Sequence, residues 1–568
     1  MSDIRRNHVK KSKKASGGGN GKPNPQVEQT VNEEPSPTGH FNRRSFLGGV
    51  TAATVAAGFL GLPTVAEAKE IGPENPSQRR SDEFSRRDGA AIKEKLLPHV
   101  HRTNGDEERY FNKIANHSKG LPHDVLGEVT LTAYTGLISA LTSGAATDFE
   151  AIQLGGTLKL SNPQSSYAYC LEGADSHVGV TAVPPAYASN EQGSEMAENY
   201  WMALARDVAF ADFDTDSTIA ATVADLSNFP DYQGPQPVTP DTIFRGFTPG
   251  DLTGPYVSQF LALPIPYGAQ SIQQQITTNV AGDDHMTSYL AWLNIQNGGA
   301  PTDKNVFDST PRYIRNLRDL SAFVHKDFSY EAGLNAALML NGMSAAADSN
   351  NPYLGYTKQS SFGTFGAPDM LDMVGRVSAA AVRCVYFQKW LVHRRVRPES
   401  YAGNVHNQVT GQGSYPIPAR LLSSPVLPAI FSKYGTYLLP MAYAEGCPSH
   451  PSFPQGHGTL AGATVTVLKA FYNESFVIPN PMVASSDGLS LVPYTGGSLT
   501  IGNELNKLAA NIARARDASG VHWRSDGMSG LLLGEALAIK ILKDLKANYW
   551  EPFAGFQLTK FNGRTIII

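Results

Sequence analysis

One helical run sets the scale of this fold. It extends from Asp369 to His393, with Pro368 just ahead of it and Arg397-Pro398 just beyond it. Proline fits the first turn of a helix and stops a helix at its end, so both limits are written in the sequence. The small residues Ser378–Ala381 inside the run suit close approach of a second helix. Tyr330–Leu340 precedes it, rich in Ala, Leu and Met. Gly458–Tyr472 and Glu504–Ala515 follow, with apolar residues three to four apart, and Leu537, Ile541 and Leu545 repeat at the same spacing. Strand-type alternation is scarce. The pattern predicts an all-α fold with little β, in which a bundle of long helices carries the site.

The chain before that bundle divides by composition. Residues 1–41 are rich in Lys, Gly, Asn, Pro, Glu and Ser and poor in large apolar residues, so they are expected to be disordered. Residues 42–68 open on Asn42-Arg43-Arg44-Ser45-Phe46-Leu47, continue through a mildly apolar stretch and end at Ala66-Glu67-Ala68. That is the layout of a twin-arginine export signal with a small-x-small cleavage site. It predicts a bacterial protein exported to the periplasm or beyond, with no permanent membrane anchor. Residues 69–309 read as an N-terminal helical scaffold with long loops. They hold a helical run near Ile92–Leu97, Pro- and Gly-rich passages, and an Ala-rich run over Met196–Ala209. Residues 310–568 read as the catalytic helical-bundle region.

Three short clusters fall at helix ends in that last region. They are Lys389-Trp-Leu-Val-His-Arg-Arg-Val-Arg397, His450-Pro-Ser-Phe-Pro-Gln455-Gly456-His457-Gly458, and Arg516-Asp-Ala-Ser-Gly-Val-His522-Trp-Arg-Ser-Asp526. Singly each has a bland reading. A basic helix terminus is what the helix dipole favours, and a Gly-rich helix start is a common turn. Together they offer a Lys, two Arg, two His and a glycine N–H at a helix N-terminus. A tetrahedral oxyanion needs that set. Arg514 is an alternative to Arg516, and Asp526, four residues past His522, could orient its imidazole. The formal net charge of −4 argues against nucleic acid as a partner and leaves the basic groups local, which points to a small anion. Cys170, Cys384 and Cys447 are widely spaced and odd in number, so no disulfide framework follows from them.

These clusters resemble the vanadium-dependent haloperoxidases, whose helical core is shared with bacterial acid phosphatases. The likeness is to the algal bromoperoxidase branch. It rests on the Lys389–Arg397 spacing, the His450…Gly456-His457 segment, the Arg516–His522 spacing, and the flanks Leu439–Gly446 and Gly502–Leu508. The resemblance implies one vanadate per subunit. His522 would bind vanadium, Lys389, Arg397 and Arg516 would neutralise its oxygens, and Gly456 would donate a backbone N–H. His457 would be the acid–base, with Lys389 polarising the oxidant. Tyr386 and His450 would handle halide, and Asp327 would be an acid buttressing the arginines. It implies hydrogen peroxide, a halide (bromide, with iodide possible) and a small organic acceptor as partners, and a homo-oligomer.

Two departures matter. Gln455 stands where the family has Ser before Gly-His, and its longer side chain could donate to vanadate or crowd it. The stretch Thr357-Lys-Gln-Ser-Ser361, which matches a calcium loop of red-algal members, lacks carboxylates, so calcium is not expected there. Two other functions use the same site. An acid phosphatase would employ His522 as nucleophile. A catalytically weakened oxyanion-binding homologue would owe its loss to Gln455.

Overall fold

The long run forms a helix over Ala367–Phe387 and then changes pitch: Gln388–His393 is one turn of π-helix, closed by Arg394 in the left-handed region at φ 43°. The sequence predicts one uninterrupted helix to His393. The extra residue in the turn is the difference, and the turn buries Gln388, Lys389, Trp390 and Val392. The computed structural model describes residues 72–97 and 99–568. The expected disordered segment and export signal lie outside the described residues.

Six helices frame the site. They are α1 (Leu317–Lys326), α2 (Ala367–Phe387), α3 (Pro398–Val409), α4 (Gly456–Phe471), α5 (Ile501–Ala518) and α6 (Arg524–Asn548). The α4–α6 crossing is the tightest contact. A Cβ added at Gly534 would lie 2.1 Å from the Thr459 carbonyl oxygen, one at Gly462 2.4 Å from that of Leu531, and one at Gly530 2.6 Å from that of Gln455. Only glycine allows two helix backbones to touch this way, and the crossing holds the first turn of α4 against the start of α6.

The scaffold is not separate from this bundle. Pro76–Ile568 is one compact unit. One hydrophobic cluster joins Tyr200, Trp201 and Phe260 to Met373, Leu468 and Leu537 across position 309. Its helices start earlier than the sequence reading placed them. Pro76–Lys95 is helical but has no buried residue, so no apolar period marks its first turns. The expected Met196–Ala209 run is Asn190–Leu204, capped by Ser189, whose side chain accepts the N–H of Gln192. Every residue from Gln192 to Ala203 is buried. That includes Glu195 and Glu198, which face the bundle and take part in its ion pairs. Among the described residues the sheets are three antiparallel hairpins of three-residue strands, at Ile265–Ile272, Met482–Pro493 and Gln557–Ile567.

Candidate active site

The three clusters meet where the π-turn, the N-terminus of α4 and the α5–α6 turn converge. Lys389 is fully buried and gives Nζ–H bonds to the carbonyls of Pro451 (2.7 Å) and Ser452 (2.6 Å). Arg397, the N-cap residue of α3, crosses both other clusters. It donates from Nη1 to Val521 O (2.6 Å) and from Nη2 to His450 O (2.9 Å). Gly520, at φ 82°, turns the chain from α5 toward α6 and brings His522 under this guanidinium.

His522 is fixed in one tautomer by its neighbours. Its Nδ1 lies 2.8 Å from Asp526 Oδ2, and its Nε2 lies 2.9 Å from Arg397 Nη1. A carboxylate accepts and a guanidinium only donates, so Nδ1 carries the hydrogen and Nε2 presents a lone pair. Burial first, then Arg397, Lys389 and Arg516, hold this imidazole well below its ordinary pKa, so it is neutral. Burial and Arg397 push the Lys389 ammonium well below its usual value too, against the pull of Asp526. A bound anion would act in the other direction, since it supplies the counter-charge these cations lack.

Neighbouring arginines divide by partner. Arg394 pairs with Glu107. Arg395 pairs with Glu195 (3.0 Å) and Asp526 (2.8 Å). Arg514 pairs with Glu198 and Asp517. Arg397 and Arg516 pair with no carboxylate among the described residues. Arg516 donates from Nη1 to Val324 O (2.9 Å) and lies over the Tyr443 ring, while its buried Nε has no acceptor. The choice between Arg514 and Arg516 that the sequence leaves open is decided by these contacts, because only Arg516 keeps unspent donors.

At the N-terminus of α4, a Cβ on Gly456 would meet nothing within 4 Å, so there is open space beside the first turn, whose N–H groups have no partner within the helix. His457 is a quarter exposed, and its Nε2 lies 3.0 Å from Asp327 Oδ1. This corrects the expectation for Asp327. It follows directly on α1 and serves His457 rather than the arginines. Gln455 is corrected as well. It is fully buried, and its amide donates to Ala513 O (3.0 Å) on α5, so that donor is turned away from the α4 terminus, while its Oε1 stays buried without a partner. His450 and Tyr386 are brought together, ring centroids 5.5 Å apart, with His450 Nδ1 3.0 Å from Arg397 Nη2.

Residues 431–551 match the family described as the VCPO second helical-bundle domain. A vanadium-dependent bromoperoxidase of Ascophyllum nodosum is 33% identical over 525 residues, spanning 87% of this chain and 93% of the relative. The enzyme of the same description from Corallina pilulifera is 33% identical over 563 residues, spanning 82% and 94%. The chain belongs to the vanadium-dependent haloperoxidases. The homohexameric structure of the second vanadate-dependent bromoperoxidase of Ascophyllum nodosum superposes with a TM-score of 0.84 at 31% identity, covering 90% of this chain and 94% of that one. The all-α expectation and the family resemblance therefore stand.

The haloperoxidase site also contains residues that the sequence did not single out. Lys119, buried, reaches Glu399 (2.8 Å) and the carbonyls of Glu445 and Cys447, tying the scaffold to the loop before His450. His117, buried two residues earlier, leaves Nε2 without a partner, and Arg397, Lys119 and Lys389 all depress its basicity after burial itself. Ser452 Oγ donates to Asp526 Oδ2, the same oxygen that meets His522 Nδ1. Asn116-His117-Ser118-Lys119 carried a weak signal, two basic residues in a polar stretch, but nothing in the order of residues places it near Arg397. The haloperoxidase's three cysteines are all buried and free.

Proposed function

We propose that this haloperoxidase holds vanadate between His522, Arg397, Arg516, Lys389 and the N-terminus of α4, and uses it to oxidise bromide with hydrogen peroxide. The observation that carries this reading is one tautomer-fixed imidazole nitrogen beside two buried arginines that pair with no carboxylate among the described residues. Those residues fit the group: Arg516 Nε lacks an acceptor, and the space over Gly456 is open. His522 would hold vanadium through Nε2. Arg397, Arg516 and Lys389 would neutralise the oxygens, and Gly456 would donate its N–H. Vanadate bound there supplies a Lewis-acid centre that makes peroxide an oxidant for halide. His457 has Nε2 committed to Asp327, so Nδ1 is the atom that exchanges protons with incoming peroxide. Tyr386 and His450 line the halide's approach. The two relatives being bromoperoxidases supports bromide, with iodide a second substrate. The hypohalous product halogenates a small organic acceptor.

The test is direct. Purified protein with and without vanadate receives peroxide, bromide and a phenolic acceptor, and vanadate-dependent bromination is expected. Phosphate-ester hydrolysis without vanadate, and no bromination, would overturn the reading in favour of a phosphatase with His522 as nucleophile. Assembly as a homo-oligomer follows the hexameric relative; a solution mass equal to one subunit would refute it. Export through residues 42–68 rests on Arg43-Arg44 and Ala66-Glu67-Ala68. Replacing both arginines by lysine should retain the protein in the cytoplasm.

A further inference from the structure

An enzyme that makes a hypohalous species must survive it, and the side chains around this site are sorted accordingly. Thiols, thioethers, indoles and phenols are the groups such an oxidant attacks. Cys447 and Met441 are buried, and burial pushes the Cys447 thiol far up, so no thiolate is on offer. Trp390 and Trp523 are fully buried, with their indole N–H groups bonded to Ser161 O (3.3 Å) and Val396 O (2.9 Å). Tyr443 is buried, its hydroxyl bonded to Ser321 O and Ser519 Oγ and its ring stacked on His325 at 3.8 Å.

Tyr386 is the exception. It stands on the last turn of α2, one turn before Lys389, and is only part-buried. Its ring is 5.5 Å from that of His450, which lies 3.0 Å from Arg397, which in turn touches His522 Nε2. We propose that Tyr386 is a self-halogenation site, the first residue this enzyme brominates on itself when no acceptor is present. The inference rests on the bromide-oxidising function proposed above.

The chemistry balances with reagents that function supplies. A ring carbon ortho to the phenol oxygen attacks the bromine of hypobromous acid. A C–Br bond forms and the O–Br bond breaks. The hydroxide released takes the proton lost from the same ring carbon, so the products are bromotyrosine and water. Peroxide is the net oxidant and bromide the halogen source. Burial raises the phenol's pKa, with Arg397 opposing, so the ring reacts as the neutral phenol rather than the far more reactive phenolate. Reaction at Tyr386 therefore depends on closeness to the source and not on an activated ring. The added bromine would narrow the space beside His450.

Exposed tyrosines are internal controls. Tyr169 is 80% exposed and Tyr267 54%. Vanadate-loaded full-length protein is given bromide and limiting peroxide without acceptor, digested, and its tyrosine peptides weighed. The same protein without vanadate is treated with reagent hypobromite. Turnover should brominate Tyr386 ahead of Tyr169 and Tyr267, whereas added hypobromite should label the two exposed tyrosines first. Labelling of Tyr169 or Tyr267 at or before Tyr386 during turnover overturns the proposal. So does a brominated acceptor, in a parallel sample, with Tyr386 unmodified. If neither acceptor nor protein is brominated, the bromide-oxidising function fails and takes the proposal with it.

Discussion

Arg395 and Arg397 stand two residues apart, both almost fully buried, and do different work. The same holds for Arg514 and Arg516 on α5. In each pair one guanidinium is met by carboxylates from the Asn190–Leu204 helix: Glu195 reaches Arg395, and Glu198 reaches Arg514 and also Arg524. The other guanidinium finds carbonyls, an imidazole or an aromatic face, and no acid among the described residues. The paired arginines bind the scaffold to the bundle. The unpaired ones hold positive charge ready for an anion. A buried cation without a counterion is costly, so the second arrangement persists only because something else fills the gap in the working state.

The sharpest way to break this comparison is to remove the group that acts within it. His457→Ala should lower the bromination rate by roughly 100- to 10,000-fold, the range for a lost acid–base, with vanadate retained. A variant near full activity would take His457 out of the site.

The arginines themselves come next. Arg395→Ala strands Glu195 and Asp526 in the interior and should cost about 3–5 kcal/mol of stability, read as a shift in denaturant midpoint. Arg397→Ala removes a cation that faces other cations, so its stability loss should be clearly smaller. Its vanadate Kd should rise roughly 10- to 100-fold, the worth of one charge-assisted hydrogen bond. Equal destabilisation by the two variants would erase the distinction.

Acid sensitivity tests the same idea for histidines. Burial lowers His393 to about 3 and His123 to about 4. Each is neutral in the folded chain and takes up a proton near 6.5 when unfolded. Its contribution to stability is whole above pH 6.5 and is lost as pH falls toward the folded value. Each should contribute a slope of about 1.4 kcal/mol per pH unit in that window. His393→Phe, which keeps a ring against Phe453, should flatten the pH dependence of the melting temperature below 6.5. The smallest effect is expected from chelation. We propose no calcium at Thr357–Ser361, an exposed stretch without carboxylates, so a calcium chelator should leave the melting temperature of the vanadate-free protein unchanged.

Much of the fold was legible because its signals are local. Pro368 and Pro398 bracket the Lys389 segment, and Leu537, Ile541 and Leu545 repeat at helical spacing. The π-turn was not legible, since one extra residue per turn leaves no mark in the order of side chains. The Pro76–Lys95 helix was seen only near its C-terminal end, because a helix that buries nothing shows no apolar stripe.

The site divides along the same line. The residue types and spacings of Lys389, Arg397, Gly456, His457, Arg516 and His522 fix which chemistry could be assembled, because charge, tautomerism and helix-end donors belong to the residues themselves. Whether a given cation is free is a property of its surroundings. Arg516 rather than Arg514, Asp327 on His457 rather than on an arginine, and Gln455 turned toward Ala513 were all decided by helices meeting from distant parts of the chain. Electrostatic pairing acts over a few ångströms in space, while the partners that set it, such as Glu195, Glu198 and Lys119, lie hundreds of residues away in sequence.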